Sequence, residues 1–128
     1  MRINKHDVPT VIDAPGAIAR QLDGFGEAAE PMAAEYFSLA AGADIAPLLQ
    51  GLPGDRCDAP HWGHVLQGVV VVSYADGSEE TVVTGDLFYW PPGHSVRVEA
   101  DAEIILFSPT HQHRVVMDHM RNKMGLPA

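Results

Sequence analysis

The stretch VLQGVVVVSYADGSEETVVTGDLFYW, residues 65–90, strings three β-branched or aromatic runs around two tight turns, and that spacing leaves few folds open. Residues 65–74 read as a strand, Asp76-Gly77 is a strong tight-turn pair, and SEETVVT returns as the partner strand. Gly85-Asp86 turns the chain again into LFYW. After Pro91-Pro92-Gly93 two further strands are expected, SVRVEA and EIILF. Upstream, residues 1–31 are broken by Pro9, Pro15, Gly24, Gly26 and Pro31 and suit short edge strands and turns. AEYFSLAAGAD adds one more strand, and IAPLLQGLPGDR a Pro/Gly-punctuated connection. Seven or eight short strands at close spacing predict an all-β sandwich or barrel.

The chain ends differently. Ser108-Pro109 reads as an N-cap and first turn, Gly125 and Pro127 as stop signals, and Val116, Met117, Met120 and Met124 recur at helical spacing between them. One amphipathic helix, about 109–124, is expected to dock its Met and Val stripe on the sheet. No internal repeat or linker interrupts residues 1–128, so a single domain is expected.

Charge narrows the partners. Eight basic and seventeen acidic residues give a formal net charge of -9, which repels nucleic acid and anionic membrane surfaces. The apolar run Val69–Val72 is far shorter than the about 18 to 20 residues that span a bilayer, and no basic-then-apolar leader opens the chain, so a cytoplasmic protein is expected. Cys57 is the only cysteine, which excludes an intramolecular disulfide and leaves a packed thiol, a reactive group or a metal ligand.

Two segments resemble the motifs of the cupins, small jelly-roll β-barrels with a ligand or metal pocket inside. Gly85, DLFYW and Pro91-Pro92-Gly93 match the second cupin motif in type and spacing. HVLQG resembles the segment that closes the first motif, with Gly68 in the closing position. Counting back, His61 takes the place of the family's Glu, Cys57 that of its second His and Asp55 that of its first. The resemblance covers about 35–108, and it implies a barrel of about 34–108 with N-terminal edge strands and the C-terminal helix as an addition. The family's last metal-binding His falls on Val96 here; His94, two residues earlier, shares its strand face.

Cys57, His61 and His94 therefore form a candidate set for Zn or Fe, with Asp55 or water completing it. The other reading is a metal-free pocket whose inward histidines bond to neighbours or to a ligand. Trp62, Phe88, Trp90 and Val96 are candidate pocket residues, Phe88 and Trp90 sharing one face by parity. His64 has the opposite parity from His61; His111, His113 and His119 read as exposed helix histidines, and His6 has no company. Asp55, Glu35 and Asp58 are carboxylates whose placement depends on an unfixed register. A Cys57–His61 nucleophile pair is disfavoured, since a strand interior offers no helix N-terminus to lower the thiol pKa. No G-x-S-x-G elbow, phosphate loop or H-E-x-x-H motif occurs.

The expected function is binding of a small organic molecule in the barrel, without catalysis or, alternatively, as a metal-dependent isomerase, cyclase, hydrolase or dioxygenase using Cys57, His61 and His94. A homodimer is expected because edge strands need cover.

Overall fold

The computed structural model describes residues 1–126, so the expected stop at Pro127 lies outside the described residues. Seven strands form one antiparallel sheet: β1 (Thr10–Ala14), β2 (Ala17–Leu22), β3 (Met32–Leu39), β4 (His61–Tyr74), β5 (Glu79–Val83), β6 (Leu87–Trp90) and β7 (His94–Pro109). Their order is β1-β2-β3-β7-β4-β5, and β6 pairs with the start of β4. A short helix α1 (Ala46–Leu49) and a 3-10 turn (Pro53–Asp55) occupy the connection before β4, and α2 (Thr110–Lys123) ends the fold.

The turns explain the hairpins. Asp76 Oδ1 accepts from the backbone N–H of Ser78 at 2.9 Å beside Gly77, whose φ of 87° suits a glycine. Between β5 and β6, Asp86 Oδ2 accepts from the backbone N–H of Val83 at 2.9 Å.

Three expectations need correction. SVRVEA and EIILF are not two strands but parts of the continuous β7, which pairs with β4 along one edge and with β3 along the other in its second half. β4 begins at His61, not at Val65, because β6 pairs His61 with Trp90. Ser108-Pro109 caps nothing: Pro109 stands at the N-cap without a side-chain bond, and Ser108 is the buried end of β7.

The long strands curl. Straight, the fourteen steps from His94 to Ser108 would span about 46 Å at about 3.3 Å per residue. Yet the His94 ring lies 4.9 Å from that of His61, and Ser108 Oγ lies 2.6 Å from His61 Nδ1. Both ends of one strand thus meet at one residue. The bend is helped by register shifts in β4 between Val65 and Val70, where Gly68 has φ 102° and a Cβ would come within 2.3 Å of the Asp101 carbonyl. This is why Gly68, and no larger residue, closes the HVLQG segment.

Inside the curl, Val65, Val70, Val72, Val82, Val98 and Ile104 form one apolar cluster. A second cluster docks α2, as its Val/Met stripe predicts: Val116, Met117 and Met120 pack with Leu49, Ile12 and Ala19. Each such side chain contributes about 1.5–3 kcal/mol on burial. Among the described residues no helix is long and apolar enough to cross a membrane.

Candidate metal centre and its adjoining cavity

Local strand pairing builds the centre. Cys57 forms an antiparallel bridge with His94: its N–H donates to the His94 carbonyl at 2.9 Å, and its own carbonyl accepts from Gly93 at 2.8 Å. Residues opposed in this way share a face. His61 opens β4 on the adjacent inward face, and its Nε2 lies 3.5 Å from Cys57 Sγ. The donor atoms of Cys57, His61 and His94 all lie within 4.8 Å of one another, and all three residues are buried.

A second group, Glu35, His61 and His113, overlaps the first through His61. Glu35 comes from β3 and His113 from the first turn of α2. The Glu35 carboxylate accepts from His113 Nδ1, from Ser108 Oγ and, at 2.8 Å, from Gln21 Nε2. His113 is 2% exposed, so the expectation of an exposed helix histidine fails for it. His111 is exposed, and half-buried His119 bonds through Nε2 to the Gln50 carbonyl at 2.7 Å, so neither joins the centre. Asp55 and Asp58 are exposed, Asp55 taking the Gly51 N–H, and Asp55 is not among the clustered donors.

The hydrogen bonds fix which ring nitrogen of each histidine is available. His94 Nδ1 donates to the Pro91 carbonyl at 2.7 Å, leaving Nε2 with a lone pair. Ser108 gives its single O–H to Glu35, so it accepts from His61 Nδ1–H, and His61 Nε2 likewise presents a lone pair, toward Cys57.

The charges follow. Burial pushes the Cys57 thiol up, but hydrogen bonding, foremost from the protonated His113, outweighs it and brings the thiol down to about 3. Nothing in the bare strand pattern announced this, because that histidine arrives from α2. Burial, with the charge of His113, lowers His61 to about 4 and so keeps it neutral. Burial also works against a charge on His113, yet the Glu35 carboxylate and the bond to Cys57 raise it to about 10. Burial pushes Glu35 up and His113 more than reverses this, so the carboxyl stays ionised.

These donors fit a divalent ion. Two atoms bound to one tetrahedral Zn through sulfur and nitrogen sit about 3.5 Å apart, given metal distances of about 2.3 and 2.0 Å. Thiolate with imidazole suits Zn and also Fe. Fixing the far nitrogen of each ring with a carbonyl or a hydroxyl backed by a carboxylate is the usual support for histidine ligands.

A cavity of about 240 Å³ adjoins this centre, lined by His61 and His113 together with apolar side chains that include Phe37, Leu48, Leu106 and Met117. Of the expected pocket residues, Trp90 and Val96 line it. Phe88 instead stacks on Trp90, ring centroids 3.8 Å apart. Trp62 is a correction: it is 46% exposed on the outer face of β4, stacked on Tyr89, because it alternates with the inward His61. His64 is half-buried and outside both donor groups.

Structural comparison agrees on the architecture. An RmlC-like cupin from Shewanella frigidimarina superposes with a TM-score of 0.58 at 18% identity over 88% of this chain and 93% of its own. The polyketide cyclase RemF from Streptomyces resistomycificus gives 0.59 at 18% identity over 86% and 79%. Ectoine synthase from P. lautus gives 0.60 at 10% identity over 86% and 78%. The fold is that of the cupins. At these identities the likeness concerns the cupin fold alone, and no family model and no curated protein matches the sequence.

Of four further residues of the site, Gln21, Ser108 and His113 escaped the sequence reading, and Glu35 stood there only as a carboxylate of unfixed placement. A signal existed for two of them. His113 precedes Val116, Met117 and Met120 by three, four and seven residues, which puts it on the docked face of α2. Glu35 alternates with Ala33 and Phe37 on β3, so a buried carboxylate was legible once that face was taken as inward.

Proposed function

We propose that this cupin-fold protein binds a small organic molecule in the barrel cavity beside a divalent metal ion, Zn or Fe, held by Cys57, His61 and His94. The observation that carries the reading is the convergence of a thiolate with two imidazole nitrogens whose opposite ring atoms are already committed to hydrogen bonds. When bound, such an ion supplies Lewis acidity toward an oxygen of the bound molecule. The chain's own groups supply the rest. Glu35 orients His113 and keeps its proton in place, Ser108 sets the His61 tautomer, and the apolar cavity wall excludes water from the donors.

A second reading, a metal-free and non-catalytic binder, is favoured by one observation: the His113 imidazolium already pairs with the Glu35 carboxylate and bonds the Cys57 thiolate, leaving the cluster a single net negative charge without an ion. Elemental analysis of untagged protein, purified without chelator or metal column, separates the two. About one Zn or Fe per chain, lost in Cys57→Ser, is expected; no metal after reconstitution with Zn, Fe and Mn would leave the metal-free binder.

We also propose a homodimer, supported by the exposed Trp62, Leu87, Tyr89 and Phe107 and by β6, whose only strand partner among the described residues is β4. Sedimentation velocity at monomer mass across the micromolar range would reject it.

A further inference from the structure

The cavity beside the donor cluster exists because short side chains meet there. Strand register opposes Ile12 to Ala19, Ala19 to Phe37, and Phe37 to Ile104, so the four share one inward face across β1, β2, β3 and β7. All four line the cavity of about 240 Å³, and Ala14, Ala17 and Ala43 join them. An alanine ends at Cβ, so these positions leave open the volume that a leucine would fill. The helices supply more of the wall: Leu48 of α1, Met117 and Met120 of α2, and Met124 just beyond it. Unbranched thioethers adapt to the outline of what they touch.

Size and polarity then select the occupant. A dry, apolar cavity of about 150 Å³ accepts benzene, or about 25 Å³ for each carbon. On that scale this one takes about nine or ten non-hydrogen atoms, one ring with short substituents. The surface such a molecule would meet is almost wholly apolar. Polar side chains of the wall are committed or closed off. His61 bonds Ser108 through Nδ1 and turns Nε2 toward Cys57, His113 bonds Glu35 and Cys57, and the Trp90 indole nitrogen is too deeply buried for an occupant to reach. A hydroxyl or carboxylate placed inside would thus lose its hydration and recover no hydrogen bond. Charge fares no better. Asp44, the only carboxylate of the described lining, is exposed and accepts the Ala46 N–H at 2.9 Å, and the chain carries a formal net charge of -9. An anion is repelled, and a cation finds its one partner at the rim.

We infer that the cavity takes an uncharged molecule of one-ring size and recognises it through its hydrocarbon surface alone, with no hydrogen bond from the wall. The inference rests on the proposal that this cavity is the ligand site. It adds the class of ligand, and it leaves any oxygen on that molecule to the ion of the proposed centre.

The test compares para-ethyltoluene with para-ethylphenol, which replaces one methyl by a hydroxyl at nearly equal size, by calorimetry on the chelator-treated full chain. Without an ion to take the oxygen, the hydrocarbon is expected to bind at least about tenfold tighter. Benzoate, of like size but charged, should give no heat of binding. Location is read from methionine methyl resonances in labelled protein: Met117, Met120 and Met124 should shift with para-ethyltoluene, and Met1 and Met32 should not. Ala19→Leu fills about a third of the volume, and Leu48→Phe narrows the half-buried rim. Each, checked by circular dichroism, should weaken hydrocarbon binding at least about tenfold; if one fails to fold, the other decides. Para-ethylphenol binding as tightly as the hydrocarbon, benzoate binding, shifts confined to Met1 or Met32, or unchanged hydrocarbon binding in the folded variants would each overturn the inference. No binding of any probe would overturn the ligand-site reading with it, whereas para-ethylphenol bound tightly at the α2 methionines would spare that reading and sink the inference alone.

Discussion

Val65, Val70, Val72, Val98 and Ile104 fill one part of the barrel with side chains that need only contact, while Gln21, Glu35, Cys57, His61, His94, Ser108 and His113 are buried as completely elsewhere in the same interior. The apolar group stabilises the fold through removal of surface from water. The polar group must first lose its hydration and then recover it through a connected set of hydrogen bonds. Replacing buried ion pairs by apolar residues of like volume is often neutral or stabilising. A cluster with a carboxylate, a thiolate and an imidazolium is therefore poorly explained as a stability device, and the contrast supports the proposal that it is the functional part of the core.

Breaking the polar half should cost most. Glu35→Ala strands the charge of His113 and removes the acceptor for Ser108 and Gln21, a change expected to destabilise by about 3–5 kcal/mol in urea unfolding. Replacing both partners, Glu35→Leu with His113→Met, should recover most of that loss while abolishing the cluster. If the double variant were no more stable than Glu35→Ala, the comparison above would fail. In the apolar half, Ile104→Ala is expected to cost about 3 kcal/mol by cavity formation, with no change in metal uptake. Equal loss of metal from this variant would mean that the two halves are not separable.

The smallest effect is the shape of the pH profile of the metal-free protein. Cys57 is lowered from 9.0 to about 3, so the folded state holds fewer protons there and gains stability as pH rises through that window. His61, lowered from 6.5 to about 4, adds to the rise below pH 6.5. His113 acts in the opposite sense: raised from 6.5 to about 10, it loses stability as pH rises through that range. Between pH 6.5 and 9.0 the Cys57 and His113 slopes cancel, so melting temperature should climb to pH 6.5, stay level, and fall above pH 9.0. Cys57→Ser should convert the plateau into a decline beginning near pH 6.5.

The barrel was legible because turn pairs such as Asp76-Gly77 and the run Gly85 to Gly93 act locally, within a few residues of the strands they join. Cys57, His61 and His94 could be drawn toward one another by motif spacing and strand parity. Ser108 misled because Ser-Pro before a helix satisfies a capping rule, while the curl of β7 instead delivers its hydroxyl to His61. Glu35 and His113 depend on which strand lies beside β7 and on how α2 docks, and no short-range pattern carries that pairing. Trp62 shows the same limit in reverse: its parity against His61 was readable, yet its aromatic character suggested a pocket that alternation denies it.

The meeting of both ends of β7 at His61 has a consequence for the life of the chain. The centre draws on residues from Gln21 to His113, so no fragment released early in synthesis can assemble it. A nascent chain that has emerged through Tyr74 carries the Cys57 thiol and the His61 imidazole without His94, and it lacks the α2 imidazolium that lowers the thiol pKa. Its sulfur is then an ordinary protonated thiol, a weak ligand and a slow nucleophile. On the proposed reading, reactivity and metal capture are deferred until the last helix docks, which would guard the growing polypeptide against oxidation and against ions bound in the wrong place.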